Sequence, residues 1–120
     1  MTREEILNMP AGREMDALIA KEVMGWVLNP PNVRGHGWLI HDHKMIGINS
    51  LPYFSTDIAA AWEVVEKEEH GFSLWVSGVR SAPLCKAEII IGDNRYGCYA
   101  NTAPLAICRA ALLAVLEDSS

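Results

Sequence analysis

The segment that most constrains this chain lies near its end. Leu105 to Leu116 reads Leu-Ala-Ile-Cys-Arg-Ala-Ala-Leu-Leu-Ala-Val-Leu, a run of helix formers with almost no polar face. Asn101-Thr102-Ala103-Pro104 before it is a helix start: Asn101 or Thr102 caps, and Pro104 falls in the first turn, where a missing N–H costs little. A helix that is apolar nearly all round must be covered on more than one side. Any fold for this chain has to put structure on at least two flanks of that helix.

The preceding residues supply the cover. Phe72, Leu74 and Val76 alternate with Ser73, Trp75 and Ser77, the period-two pattern of a half-buried strand. Residues 80–85 read as a turn. Lys86 to Ile91 follows as a second strand with Ala87, Ile89 and Ile91 on one side, and Gly92-Asp93-Asn94-Arg95 turns into a third. Strands over 72–79, 86–91 and 96–100 make an antiparallel meander. Upstream, Thr2 and Glu5 form a capping box for a short helical turn ending before Pro10. Met15, Leu18, Ile19 and Val23 mark a helix over about 11–24, with Arg13, Glu14 and Lys21 outside its stripe and Gly25 as its stop. Ser55 caps a helix over about 56–69 whose buried face is Ile58, Ala61, Trp62 and Val65. The segment 26–54 is the least regular. Asn29-Pro30-Pro31-Asn32 and Gly35-His36-Gly37 are loop chemistry, followed by a short hairpin around His41-Asp42-His43-Lys44. No repeat or linker interrupts the chain. The expectation is one domain over residues 1–120: an α+β, three-layer α/β/α sandwich with an antiparallel sheet and helices on both faces, and a variable segment at about 26–54.

Composition narrows the function classes. The chain has 120 residues, half of them hydrophobic, which is globular composition. Asp and Glu outnumber Lys and Arg by 15 to 10, and the net charge is −5. A binder of long nucleic acid needs the opposite surplus to displace counterions from phosphates, so that class is excluded, while one small anion needs only a local arginine or two. Cys85, Cys98 and Cys108 are odd in number and lack CxxC spacing, so they read as reduced core thiols and point to a cytoplasmic setting. No apolar run reaches the ~18 residues of a membrane span, and the charged N-terminus lacks the apolar core of a secretion signal.

Nothing reads as a catalytic centre or implies a cofactor. There is no nucleophile elbow, P-loop or dinucleotide fingerprint. His41-x-His43, with His36 nearby, is the most ligand-like cluster. It lacks the distant second ligand pair of a strong metal signature, so no metal is expected. A pocket for a small anion would need cations, a stacking surface and donors. The candidate cations are Arg109, Arg80 and Arg95; the platforms are Trp38, Tyr53 and Trp75; the donors are Ser55, Thr56, Asn101 and Thr102. Arg109 ranks first because it sits among Leu105, Leu112 and Leu116, where a charge needs either a ligand or an internal partner such as Asp16 or Glu63. The four tryptophans, set beside the apolar last helix, point to a homo-oligomer.

Three segments carry a resemblance. They are Asn8 to Ala20 (Asn-Met-Pro-Ala-Gly-Arg-Glu-Met-Asp-Ala-Leu-Ile-Ala), Ser55 to Lys67 (Ser-Thr-Asp-Ile-Ala-Ala-Ala-Trp-Glu-Val-Val-Glu-Lys), and Thr102-Ala103-Pro104 with Ala106 to Leu112. Together they resemble the phage ABA-sandwich domain family, small proteins of phages and prophages in Gram-positive bacteria. The resemblance implies a helix–sheet–helix sandwich and a phage setting, but no activity. Small phage proteins often counter host defence, in some cases by sequestering a nucleotide immune signal. The leading expectation is therefore a non-enzymatic protein that binds a cyclic nucleotide or related nucleotide. The alternatives are an inhibitor of a host or phage protein acting through the 26–54 segment, and a nucleotide hydrolase using His36, His41 or His43.

Overall fold

Ala103–Asp118 forms the helix on which the rest is built, here α4. Its residues from Pro104 to Cys108 and from Ala110 to Ala114 are all buried. One flank lies on a meander and the others on the remaining helices. Burial of Leu105, Ile107, Leu112 and Leu113 contributes about 1.5–3 kcal/mol each, and the intervening alanines let neighbouring backbones come close. The chain's own elements thus account for the all-round apolar surface of α4, so that surface by itself calls for no second subunit.

The structure is a computed structural model that describes residues 1–28, 37–40, 44–67, 70–79 and 82–118. Its elements run α1 (Arg3–Asn8), α2 (Arg13–Leu18) continuing as a π-helical turn (Ile19–Val23), β1 (Val27–Leu28), β2 (Gly37–Leu39), β3 (Met45–Gly47), a 3-10 turn (Ile48–Ser50), α3 (Ile58–Lys67), β4 (Gly71–Val79), β5 (Ala82–Ile91), β6 (Asn94–Ala100) and α4. There are two three-stranded antiparallel sheets, ordered β1-β2-β3 and β4-β5-β6. The expected α+β class holds, with antiparallel sheet layered on helices. Within one chain α4 stands on the face of the meander that carries Cys85, Ala87, Ile89, Tyr96 and Cys98, all buried. The opposite face carries exposed Trp75 and Tyr99.

Several local expectations hold. Thr2 Oγ1 accepts from the Glu5 amide at 3.2 Å, and Gly25 ends its helix at φ 75°, a left-handed value that favours glycine. The short hairpin forms, with Trp38 opposite Ile46, and β1 joins it as an unforeseen third strand. Gly37 is required there: a Cβ would lie 2.2 Å from the Ile46 carbonyl oxygen.

Other expectations are corrected. Of the turn expected at 80–85, Ala82 to Cys85 instead continue the ladder and pair with residues 76–79, and residues 80 and 81 lie outside the described residues. The third helix begins at Ile58, and its cap is Asp57, whose Oδ1 accepts from the Ala59 amide at 3.1 Å. Ser55 is drawn inward instead. The buried face of α3 is Ala60, Ala61 and Val64, rotated from the expected stripe; Ile58 is exposed and Trp62 is 45 % exposed, its ring edge-on to Phe72 at 5.9 Å. Small alanines let α3 approach α4, and the bulky side chains turn to the rim.

Candidate functional site

Two open grooves meet along one wall. One, of about 580 Å³, runs past Arg13, Leu28, Trp38, Asn49, Leu51 and Tyr53. The other, of about 750 Å³, runs past Glu14, Lys21, Trp26, Val27 and Trp38. Ala17, Leu28 and Trp38 line both. The grooves lie between the α2–π-helix segment and the small β1–β3 sheet.

The local chemistry starts at Asp16, a fully buried carboxylate on α2. Its Oδ1 accepts from the Ser55 amide at 2.8 Å and from the Ser55 hydroxyl at 2.7 Å; its Oδ2 accepts from Arg13 at 3.0 Å. Ser55 Oγ also accepts from the Gly12 amide at 2.9 Å. These bonds pin the turn at 53–57, in which the Thr56 and Asp57 amides donate to the Tyr53 carbonyl. Arg13 donates to the Leu51 carbonyl at 2.8 Å, and its guanidinium lies over the Tyr53 ring at 4.1 Å. Asp16 and Arg13 together therefore hold Tyr53, 53 % exposed, against the groove. A guanidinium stacked on an aromatic ring offers a flat cationic plate. Trp38 closes the wall. The residue is 3 % exposed, and its buried indole N–H has no hydrogen-bond partner among the described residues. An unmet buried donor costs about 1–3 kcal/mol.

Of the sequence candidates, Trp38 and Tyr53 come together here. The others lie elsewhere. Ser55 is buried and bonded to Asp16, so it supports the site from behind. Thr56 is exposed on the pinned turn. Arg109 lines neither groove. It donates to the Met9 carbonyl at 2.8 and 3.3 Å and to the Tyr99 carbonyl at 3.3 Å, tying the chain ahead of α2 to β6. It clasps backbone carbonyls where a salt bridge to Asp16 or Glu63 was expected; Asp16 is already held by Arg13 and Ser55. Arg95 pairs with Glu88 at 2.8 Å on the open face of the meander, where Trp75 also lies. Asn101 and Thr102 are exposed at the start of α4, where Thr102 Oγ1 accepts from the Leu105 amide at 3.4 Å. Arg80, His36, His41 and His43 lie outside the described residues.

Arg13, Asp16, Lys21 and Trp26 were not among the sequence candidates. The available signal was Asp16 itself, a carboxylate flanked by the buried positions Met15, Ile19 and Ala20. Among the described residues no group of three or more His, Cys, Asp and Glu side chains is placed to hold a metal ion, and no helix is long and apolar enough to cross a membrane. Cys98 and Cys108 are not activated thiols. Burial pushes Cys98 up against the lowering pull of Arg109, and burial with the charge of Asp16 pushes Cys108 up further.

The family model of the phage ABA sandwich domain matches residues 17–112. The chain belongs to that family. A phage protein from Bacillus cereus ATCC 14579, known from its crystal structure, is similar at 27% identity with a TM-score of 0.67, over 88% of this chain and 93% of that one. No curated protein shows a significant match. This ABA sandwich protein therefore has a phage relative along nearly its whole length, and the family match runs from the last residues of α2 through both sheets and α3 into α4.

Proposed function

We infer that this ABA sandwich protein binds a small anionic ligand of the nucleotide class in the groove beside Trp38 and holds it without chemistry. The observation that carries the reading is the unpartnered indole N–H of Trp38, buried in the wall shared by both grooves. That N–H is closed to solvent, so a ligand oxygen or ring nitrogen gains the bond as the indole turns out of the wall. Beside it, the Arg13–Tyr53 stack offers a flat surface for a base and positive charge for a phosphate. Binding of one small ligand also suits a chain of net charge −5. In a phage setting, such a protein acts in the host cytoplasm as a sponge for a nucleotide immune signal.

The test is incubation with a panel of mononucleotides, cyclic mono- and dinucleotides and ADP-ribose derivatives, then heat denaturation and analysis of the released ligand. Intact ligand, lost in Trp38→Phe and Arg13→Ala, is the expected result. A converted product would replace this reading with hydrolysis. No binding to any member would replace it with inhibition of a protein partner.

A further inference from the structure

The sheet order β4-β5-β6 leaves β4 as an edge strand, bonded along one side to β5 and without a second strand neighbour among the described residues. Edge strands are normally blunted with charge or proline, because their unpaired N–H and C=O groups template pairing with another chain. Gly71 to Val79 contains neither: it reads Gly-Phe-Ser-Leu-Trp-Val-Ser-Gly-Val. The other edge, β6, carries Arg95.

Exposure marks the middle of β4. Trp75 points to the open face and is 53 % exposed. Val76 points to the same side as Phe72 and Leu74, which pack on the core, yet it is 60 % exposed. An ordinary edge strand exposes its solvent-face side chains. Exposure of large apolar groups on both faces of neighbouring positions is what a strand lacking its next neighbour shows.

We propose that β4 pairs antiparallel with β4 of a second copy about a two-fold axis at Trp75, joining two meanders into one six-stranded sheet. The register follows from backbone geometry. In an antiparallel ladder alternate residues direct their N–H and C=O to the same side. Outward-facing residues of one copy must meet outward-facing residues of the other, so paired positions share parity, and centring on the strand brings Trp75 opposite Trp75. Leu74 then faces Val76 on the core side, covering the exposed valine. Ser73 faces Ser77 on the open side, and these small residues leave room for the two indoles. Trp75 is registered with Lys86, and Lys86 with Tyr99, so the dimer extends this cross-strand row through both copies. Charge does not oppose it. β4 has no ionisable group, and on the open face Glu88 is paired with both Lys86 and Arg95. The occupant is a second copy because the strand is its own complement in pattern, size and charge. The contact rests on one strand and two rings, so the dimer is concentration-dependent.

Sedimentation velocity from about 1 to 500 µM tests this. The wild-type mass should rise from one chain toward two, and Trp75→Lys and Val76→Lys should each stay monomeric while melting as wild type does. Single substitutions at the strand centre test the register. Residues directly opposite have Cα atoms ~4.5–5.5 Å apart, within disulfide reach. Trp75→Cys should cross-link to itself under mild oxidation at high concentration, and Leu74→Cys should not. A wild-type chain monomeric throughout, a dimer that survives both lysine variants, or cross-linking through position 74 in place of 75 would each overturn the proposal.

Discussion

Replacing Asp16 probes the anchor of the site most directly. The carboxylate accepts two bonds from Ser55, at 2.8 and 2.7 Å, and one from Arg13 at 3.0 Å. In Asp16→Asn the remaining oxygen still faces Ser55, but as a neutral acceptor, which weakens two bonds by about 1 kcal/mol each. The new amide also points a donor at Arg13. That pair adds only about 0–1 kcal/mol, because the Arg13 side chain is 42% exposed and screened. The total is a loss of about 2–3 kcal/mol. Asp16→Ala leaves the Ser55 amide unmet in the core and its hydroxyl with only the longer bond to the Gly12 carbonyl at 3.2 Å; with the space left by the carboxylate, the loss is about 3–5 kcal/mol. For a domain of this size about 1 kcal/mol moves the melting point by ~3–6 °C, so the expected drops are ~10 °C for asparagine and ~15–20 °C for alanine. Urea unfolding followed by tryptophan fluorescence gives the free energies. Asp16→Ala combined with Ser55→Ala should cost clearly less than the sum of the two single changes, because both remove the same bonds. If Asp16→Ala unfolds within 1 kcal/mol of wild type, or if the two changes add, the network does not anchor the turn.

Three further outcomes are expected. Gly37→Ala drives a methyl group into the Ile46 carbonyl, 2.2 Å away, so it should lose about 1–3 kcal/mol and change the near-ultraviolet signal of Trp38, measured by circular dichroism. Arg109→Ala removes the clasp on the Met9 and Tyr99 carbonyls; it should cost about 1–3 kcal/mol in urea yet leave any groove ligand bound with unchanged affinity. Cys98 and Cys108 ionise above the ordinary thiol range because they are buried. The unfolded chain therefore loses its thiol protons first, so unfolding free energy should be independent of these groups below about pH 8 and fall above about pH 8.5. Native alkylation by iodoacetamide at pH 8 should be far slower than in urea.

The sequence by itself determined the central helix, the meander and the α+β class, because these rest on local patterns. The apolar run from Leu105 to Leu116 has one physical solution, burial on several flanks, and the alternation from Phe72 to Ser77 has one period. The same patterns brought two groove residues, Trp38 and Tyr53, into view. Tertiary structure decided the rest. Ser55 has the local credentials of a cap, but Asp16 sits 39 positions away in sequence and outbids the helix start for its hydroxyl. Arg109 looked like a charge in search of a counter-ion, and two backbone carbonyls brought together by the fold satisfy it. The stripe of α3 was misread by a fraction of a turn, since alanines and large apolar residues suit either face until α4 selects the small ones. Arg13 reads as a solvated residue in sequence and becomes part of a site only when the 53–57 turn places Tyr53 beneath it. Local periodicity records which residues want to leave water. Which buried polar groups meet depends on contacts between distant segments, and one chain's sequence does not encode those in any local window.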